Sequence, residues 1–153
     1  MNATLERLPH VDEHALVVNA GRDTTWTALL RVVEGTVSAG AAPRVARILG
    51  CADTGATGPR PLAAGSAFPG FHVAAAVEPA ELALAGSHRF SDYALIFHLD
   101  ELGAGRTWVR AETRAEFPGL KGTAYKGLVI GTRLHVLVTR RLLAGVKRNA
   151  ERS

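Results

Sequence analysis

From Arg106 to Phe117 the chain alternates without a break. Thr107, Val109, Ala111, Thr113, Ala115 and Phe117 fall on one side, and Arg106, Trp108, Arg110, Glu112, Arg114 and Glu116 on the other. A period of two sends successive side chains to opposite faces of a strand. One face is therefore small and mostly apolar, and the other is charged and turned to water. A sheet built on this strand must cover its apolar face, and the rest of the chain has to supply that cover. On the charged face, Arg110, Glu112, Arg114 and Glu116 read as a cross-strand charge ladder rather than as acid–base catalysts.

Three further strands precede it through short linkers, which favour antiparallel neighbours. Phe71, Val73, Ala75 and Val77 alternate with His72, Ala74, Ala76 and Glu78, and Glu78-Pro79 ends the run. Leu82 and Leu84 mark a short second strand. Tyr93, Leu95, Phe97 and Leu99 line one face of a third, and Asp100 to Gly105 forms a hairpin loop. The predicted inward face runs from Val73 and Ala75 through these strands to Val109, Ala111, Thr113 and Ala115.

The cover is predicted in the stretch Phe117–Asn149, read as one long helix that frays or bends near Gly127 and Gly131. At 100° per residue, Leu128, His135, Leu142 and Val146 fall on one line, flanked by Thr132, Thr139 and Leu143. Arg133, Arg140, Arg141, Lys147 and Arg148 lie opposite, the pattern of a helix laid on an apolar surface; Ile130 and Leu137 interrupt it. No other predicted element is long enough to span the sheet. Ahead of the sheet, residues 1–10 read as an irregular lead-in and Val11–Ala20 as a strand. A helix follows, capped by Asp23 or Thr24, carrying Trp26, Leu29, Leu30 and Val33, and ending at Gly35. A second short helix covers Pro43–Leu49, with Val45, Ile48 and Leu49 as its apolar face, and 51–70 is a long loop. Strands segregated from helices indicate an α+β fold, and 153 residues indicate one domain over 1–153.

The function classes narrow by exclusion. With 18 Lys+Arg against 14 Asp+Glu, the net charge is mildly positive, and its densest cluster is the back of the C-terminal helix. That is a solvated face rather than a nucleic-acid surface. No run of about 18 apolar residues is present, so no membrane span is expected. The N-terminus lacks a basic region followed by an apolar core, which favours a cytoplasmic location. Cys51 is the single cysteine, too few for a disulfide or a multi-cysteine metal site. His72, His88 and His98 make no metal-ligand spacing. No cofactor or metal is expected.

The order of strand, two short helices, antiparallel sheet and long C-terminal helix resembles the helix-grip fold of the START and polyketide-cyclase (SRPBCC) superfamily. The likeness is carried by Glu13-His14-Ala15-Leu16-Val17-Val18-Asn19-Ala20 leading into Asp23-Thr24-Thr25-Trp26. It continues in His88-Arg89-Phe90-Ser91-Asp92-Tyr93, in Thr113-Arg114-Ala115-Glu116-Phe117-Pro118-Gly119 and in Gly122-Thr123-Ala124-Tyr125. It covers most of the chain, is weakest over 50–70, and looks like a small branch of the superfamily. It implies a curved antiparallel sheet wrapped around the C-terminal helix, with a cavity between them for a lipid, polyketide or other apolar metabolite. The implied function is small-ligand binding; the alternative is a cyclase or dehydratase-like enzyme using cavity His and Tyr residues.

The candidate cavity residues are Tyr93, Leu95, Phe97, Val109, Ala111 and Thr113 from the sheet, with Tyr125, Leu128, His135 and Leu142 from the helix. His135 lies on the apolar line, where a neutral imidazole can orient a ligand or move a proton near neutral pH. The plainer reading is a core histidine bonded to a sheet residue or water. The Tyr93 and Tyr125 hydroxyls offer polar handles, or pack and bond locally. Cys51 lacks a partnered base. Trp108, on the charged face, calls for cover by a loop or a second subunit, so a homodimer joins the small apolar molecule as an expected partner.

Overall fold

The computed structural model describes residues 3–37, 42–131 and 133–153. Strands β1 (His10–Val18), β2 (Ala67–Phe68), β3 (Phe71–Val77), β4 (Glu81–His88), β5 (Ser91–Gly103) and β6 (Arg106–Glu116) form one antiparallel sheet in the order β1-β6-β5-β4-β3-β2. The helices are α1 (Ala3–Glu6), α2 (Arg22–Val37), α3 (Ala42–Leu49), α4 (Gly119–Gly131) and α5 (Leu134–Glu151). The fold is α+β, a curved sheet with its long helices on the concave face. Among the described residues no helix is long and apolar enough to cross a membrane.

The predicted C-terminal helix is two helices. Arg133 takes φ 55°, in the left-handed region, between α4 and α5. An L-residue there ends a right-handed helix. The break falls beside Gly131, one of the two predicted weak points; Thr132 lies outside the described residues. The cover is also shared. Leu142, Leu143 and Val146 of α5 are buried together with Trp26, Leu29 and Val33 of α2, and α2 is a 16-residue helix that passes through Gly35 to Val37. A glycine in a helix interior costs only about 1 kcal/mol, and burying Val33 and Leu29 more than offsets that.

The alternation in β6 holds, with Val109 and Ala111 in the core and Trp108 exposed. In β3 the predicted phase fails midway. Val73 opposes Leu84 but Ala75 opposes Ala83, so the register slips between them. A bulge of this kind reverses which side chains face in. Ala75, predicted inward, therefore lies on the convex face, and Ala76 takes the inward place.

That convex face is not left wholly to water. Ala83, Ala85, Ala94 and Ile96 make a second buried cluster, closed by Leu5 and Leu8 from the N-terminal segment. Arg114 pins that segment, donating from Nη1 to the carbonyls of Glu6 and Leu8 at 3.1 and 3.0 Å. Glu112, predicted to face water, is buried where His10, His98 and Arg114 converge on it. The charges cluster rather than form an open ladder because the lead-in lies over them.

Candidate functional site

The concave face divides into a packed half and an open half. The cross-strand pairs Leu99↔Val109 and Phe97↔Ala111 sit in the core, sealed by α2 and the C-terminal half of α5. One pair further along, Leu95↔Thr113 and Tyr93↔Ala115 meet no such cover. They line a cavity of about 520 Å³, roofed by α3, by Tyr125 of α4, and by His135, Val138 and Thr139 at the start of α5. The boundary arises because α2 crosses only one end of the sheet, while the break at Arg133 sets α4 apart from α5.

Tyr93 forms one end wall. It pairs across the sheet with Gly86, and a Cβ on Gly86 would come within 2.5 Å of the Tyr93 ring and 2.2 Å of the Gly70 carbonyl. Only glycine lets the ring lie flat on β4, which aims its hydroxyl at the Gly70 carbonyl at 2.5 Å. Burial pushes the Tyr93 phenol well above its ordinary value, with Cys51 adding to the shift, so it is a fixed donor and not an acid. Phe71 meets the ring edge-on at 5.2 Å, and His88 lies between it and Tyr125, 4.8 Å from the latter. Cys51 Sγ is 3.9 Å from the Tyr93 hydroxyl. The thiol is held there because Gly50, at φ 70°, ends α3 and the Ala52 amide bonds the Ser87 carbonyl.

His88 is a neutral member of this wall. The Phe90 amide donates to its Nδ1 at 3.1 Å, so the ring proton sits on Nε2. Burial lowers its pKa below 6.5, against the pull of Asp92. A histidine depressed in the fold takes up its proton more readily when unfolded, so its contribution to stability falls as pH drops below 6.5. Stability measured by urea denaturation is expected to decline from about pH 7 to about pH 5, and to decline less in His88→Phe, which keeps the ring contacts. Equal declines in the two proteins would remove His88 from this account.

The opposite corner is polar. His10 pairs with Arg114 and Asp12 with Thr113, so β1 carries one extra residue, Val11, against β6. From Asp12 to Val18 the register is unbroken, so Asp12 shares the inward phase of His14, Leu16 and Val18, and the bulge puts His10 on the convex face beside Glu112. Asp12 is thus paired with Thr113 on the concave face. His135 Nε2 donates to Asp12 Oδ2 at 2.8 Å, and His14 Nε2 approaches the same oxygen at 3.2 Å. Burial works to raise the Asp12 pKa, but the hydrogen bonds and charges of the two histidines hold it below 3.8. Asp12 Oδ1, Thr113 Oγ1 and His135 Nδ1 are all buried without a hydrogen-bond partner among the described residues. Asp12→Ala is expected to lower stability by about 1–3 kcal/mol near neutral pH, since it strands the imidazole donors. The loss should shrink as pH falls through the folded pKa of Asp12, below 3.8, where wild type also loses the ion. Thermal unfolding of both proteins across that range checks it.

No protein-family model matches the chain, and no curated protein matches it in sequence. Solved structures do. Truncated norcoclaurine synthase from Thalictrum flavum superposes over 95% of this chain and 94% of its own, with a TM-score of 0.56 at 12% identity. A protein from Chromobacterium violaceum covers 94% and 99%, with a TM-score of 0.51 at 12% identity. The di-domain ARO/CYC BexL matches 92% of this chain over 46% of its own length, with a TM-score of 0.50 at 16% identity. The chain shares the helix-grip fold of these structures. At these identities the likeness is one of fold.

Within the helix grip, the residues singled out from sequence separate into two groups. Tyr93, Leu95, Thr113, Tyr125 and His135 line the cavity. Phe97, Val109, Ala111 and Leu142 do not; they are sealed in the core, because α2 fills the space that the C-terminal helix was expected to bound alone. The Leu128 side chain lies outside the described part of the structure. Asp12 was missed, although it shares the period-two phase of His14, Leu16 and Val18. His88 and Cys51 had been weighed only as metal ligand and nucleophile, and both stand in the cavity wall. In α3, Ala46 and Leu49 line the cavity, whereas Ile48, expected on the apolar face, is 72% exposed.

Proposed function

We propose that this helix-grip chain binds a small apolar molecule, of the size of a polyketide, lipid or similar metabolite, in the cavity beside α5. The observation that carries the reading is the contrast across the concave face. One half is closed by large side chains, and the other leaves about 520 Å³ behind walls of Leu95, Ala115, Leu49 and aromatic rings. That volume lies within the range of small-molecule sites, about 300–1,000 Å³. Cys51 provides a clean test because it is the single cysteine and stands in the wall. Saturating pyrene, followed by its fluorescence, is expected to slow alkylation of Cys51 by iodoacetamide about tenfold. Unchanged labelling, or no pyrene binding, removes the reading.

A second reading, an enzyme of the cyclase or dehydratase kind, is favoured by the Asp12–His135 pair. The carboxylate orients the imidazole through Nε2, which leaves the Nδ1 lone pair for a proton from a bound molecule. Tyr93 adds no free proton to that reading, since its hydroxyl donates to Gly70. The names of norcoclaurine synthase and BexL accord with chemistry on this fold. The test is exchange of the methyl protons of acetylnaphthalene with deuterated water, followed by NMR. The proton passes to His135 Nδ1 and a deuteron returns to carbon. Equal exchange with wild type and His135→Ala sinks the enzymatic reading.

A further inference from the structure

We propose that the cavity takes apolar molecules carrying an uncharged carbonyl group, and that His88 Nε2 and the Tyr125 hydroxyl donate to that carbonyl oxygen. The inference rests on the binding reading above and adds the chemistry of the ligand's polar end. It follows from which polar side-chain atoms of the wall remain free. Tyr93 donates to the Gly70 carbonyl and stands beside the Cys51 thiol. The hydroxyls of Ser91 and Thr139 bond the carbonyls of Asp92 and His135. His135 Nε2 is bonded to Asp12, while His135 Nδ1 and Thr113 Oγ1 are themselves buried. His88 Nε2 and the Tyr125 hydroxyl are left. Both residues line the cavity, and neither atom is bonded among the described residues or closed off from solvent.

Both atoms are donors that face the space. His88 shares the inward phase of Leu84 and Gly86 on β4. Its Nδ1 turns back to the Phe90 amide, so Nε2, which carries the proton, lies on the side of the ring away from that turn. The Tyr125 ring stands against it, 4.8 Å between centres. Burial raises the Tyr125 phenol and Cys51 adds to the rise, as both do for Tyr93. The Tyr125 hydroxyl is thus turned toward the thiol in the cavity wall. A carbonyl oxygen has two lone pairs and can accept from both donors at once. No Asp, Glu, Arg or Lys is among the described residues lining the cavity. A carboxylate would enter without a counter-ion, a costly burial of charge. A plain hydrocarbon would displace water and leave both donors unpaired. A ketone or quinone on an apolar ring system satisfies them without bringing charge.

The test compares pyrene, acetylpyrene and pyrenecarboxylate, titrated by fluorescence into the full chain at about pH 7. Acetylpyrene is expected to bind about tenfold more tightly than pyrene, the net effect of two neutral hydrogen bonds, and the carboxylate more weakly than acetylpyrene. The infrared carbonyl stretch of bound acetylpyrene should fall below its frequency in hexane. Tyr125→Phe, which keeps the ring, should lower the ratio of acetylpyrene to pyrene affinity about threefold or more. With pyrene bound, any one of four results overturns the inference and leaves the apolar-cavity reading in place: acetylpyrene no tighter than pyrene, an unshifted carbonyl stretch, a carboxylate as tight as acetylpyrene, or an undiminished ratio in Tyr125→Phe. Failure of all the ligands, pyrene included, removes the cavity reading and this inference with it. The ligand comparison and the infrared measurement use the wild-type chain, so a poorly folding Tyr125→Phe does not blunt them.

Discussion

Replacing Phe97 with alanine is expected to lower folding stability by about 3–5 kcal/mol, the loss typical of truncating a sealed aromatic side chain. Phe97 is fully buried against Leu82 on the neighbouring strand and Ala111 on the other side, beneath α2. Its neighbours are held by three elements and cannot collapse into the void, so the cavity term adds to the lost transfer energy. Leu95→Ala is the informative comparison. Leu95 lies on the same face two residues away, half-buried and already bordering open space. Its truncation should cost less, about 1–2 kcal/mol, because part of that side chain never left the cavity. Guanidinium denaturation of both variants separates the cases. Similar losses would place the two residues in one packed layer and erase the boundary between core and cavity.

Gly86→Ala should disable the cavity without touching the core. The new methyl group would stand 2.2 Å from the Gly70 carbonyl and 2.5 Å from the Tyr93 ring. The carbonyl is backbone and cannot swing aside, so the ring must lift and the Gly70 bond must break. Overpacking of this kind costs about 1–3 kcal/mol. Since Tyr93 is an end wall, pyrene affinity should fall about tenfold, and Cys51, 3.9 Å from the hydroxyl, should alkylate faster. Gly127→Ala is the control, because nothing stands within 4 Å of a Cβ there; it should leave binding unchanged and add up to about 1 kcal/mol of helix stability. Normal pyrene affinity in Gly86→Ala would show that Tyr93 does not bound the ligand space.

Much of the fold was legible because its signals are local. The period-two run in β6 and the helical spacing of Trp26, Leu29 and Val33 each name the buried side of their own element, and those sides are buried. The site was legible only in part. His135 declared itself by standing on an apolar helix face; it takes a sheet partner, Asp12, as the plainer of the two readings expected, and its residue also lines the cavity. Phe97 and Val109 shared the phase of Leu95 and Thr113, and no pattern along a strand distinguishes a residue under a helix from one beside a void.

By itself, then, the sequence determined the class of the fold, the run of strands, and which face of β6 must be covered. These follow from periodicity, which each segment carries alone. Tertiary structure decided where α2 lies, and with it which half of the concave face is filled. It also decided the break in periodicity that turns Ala75 out and Ala76 in. A bulge is a mismatch in count between two paired strands, so neither strand's sequence states it.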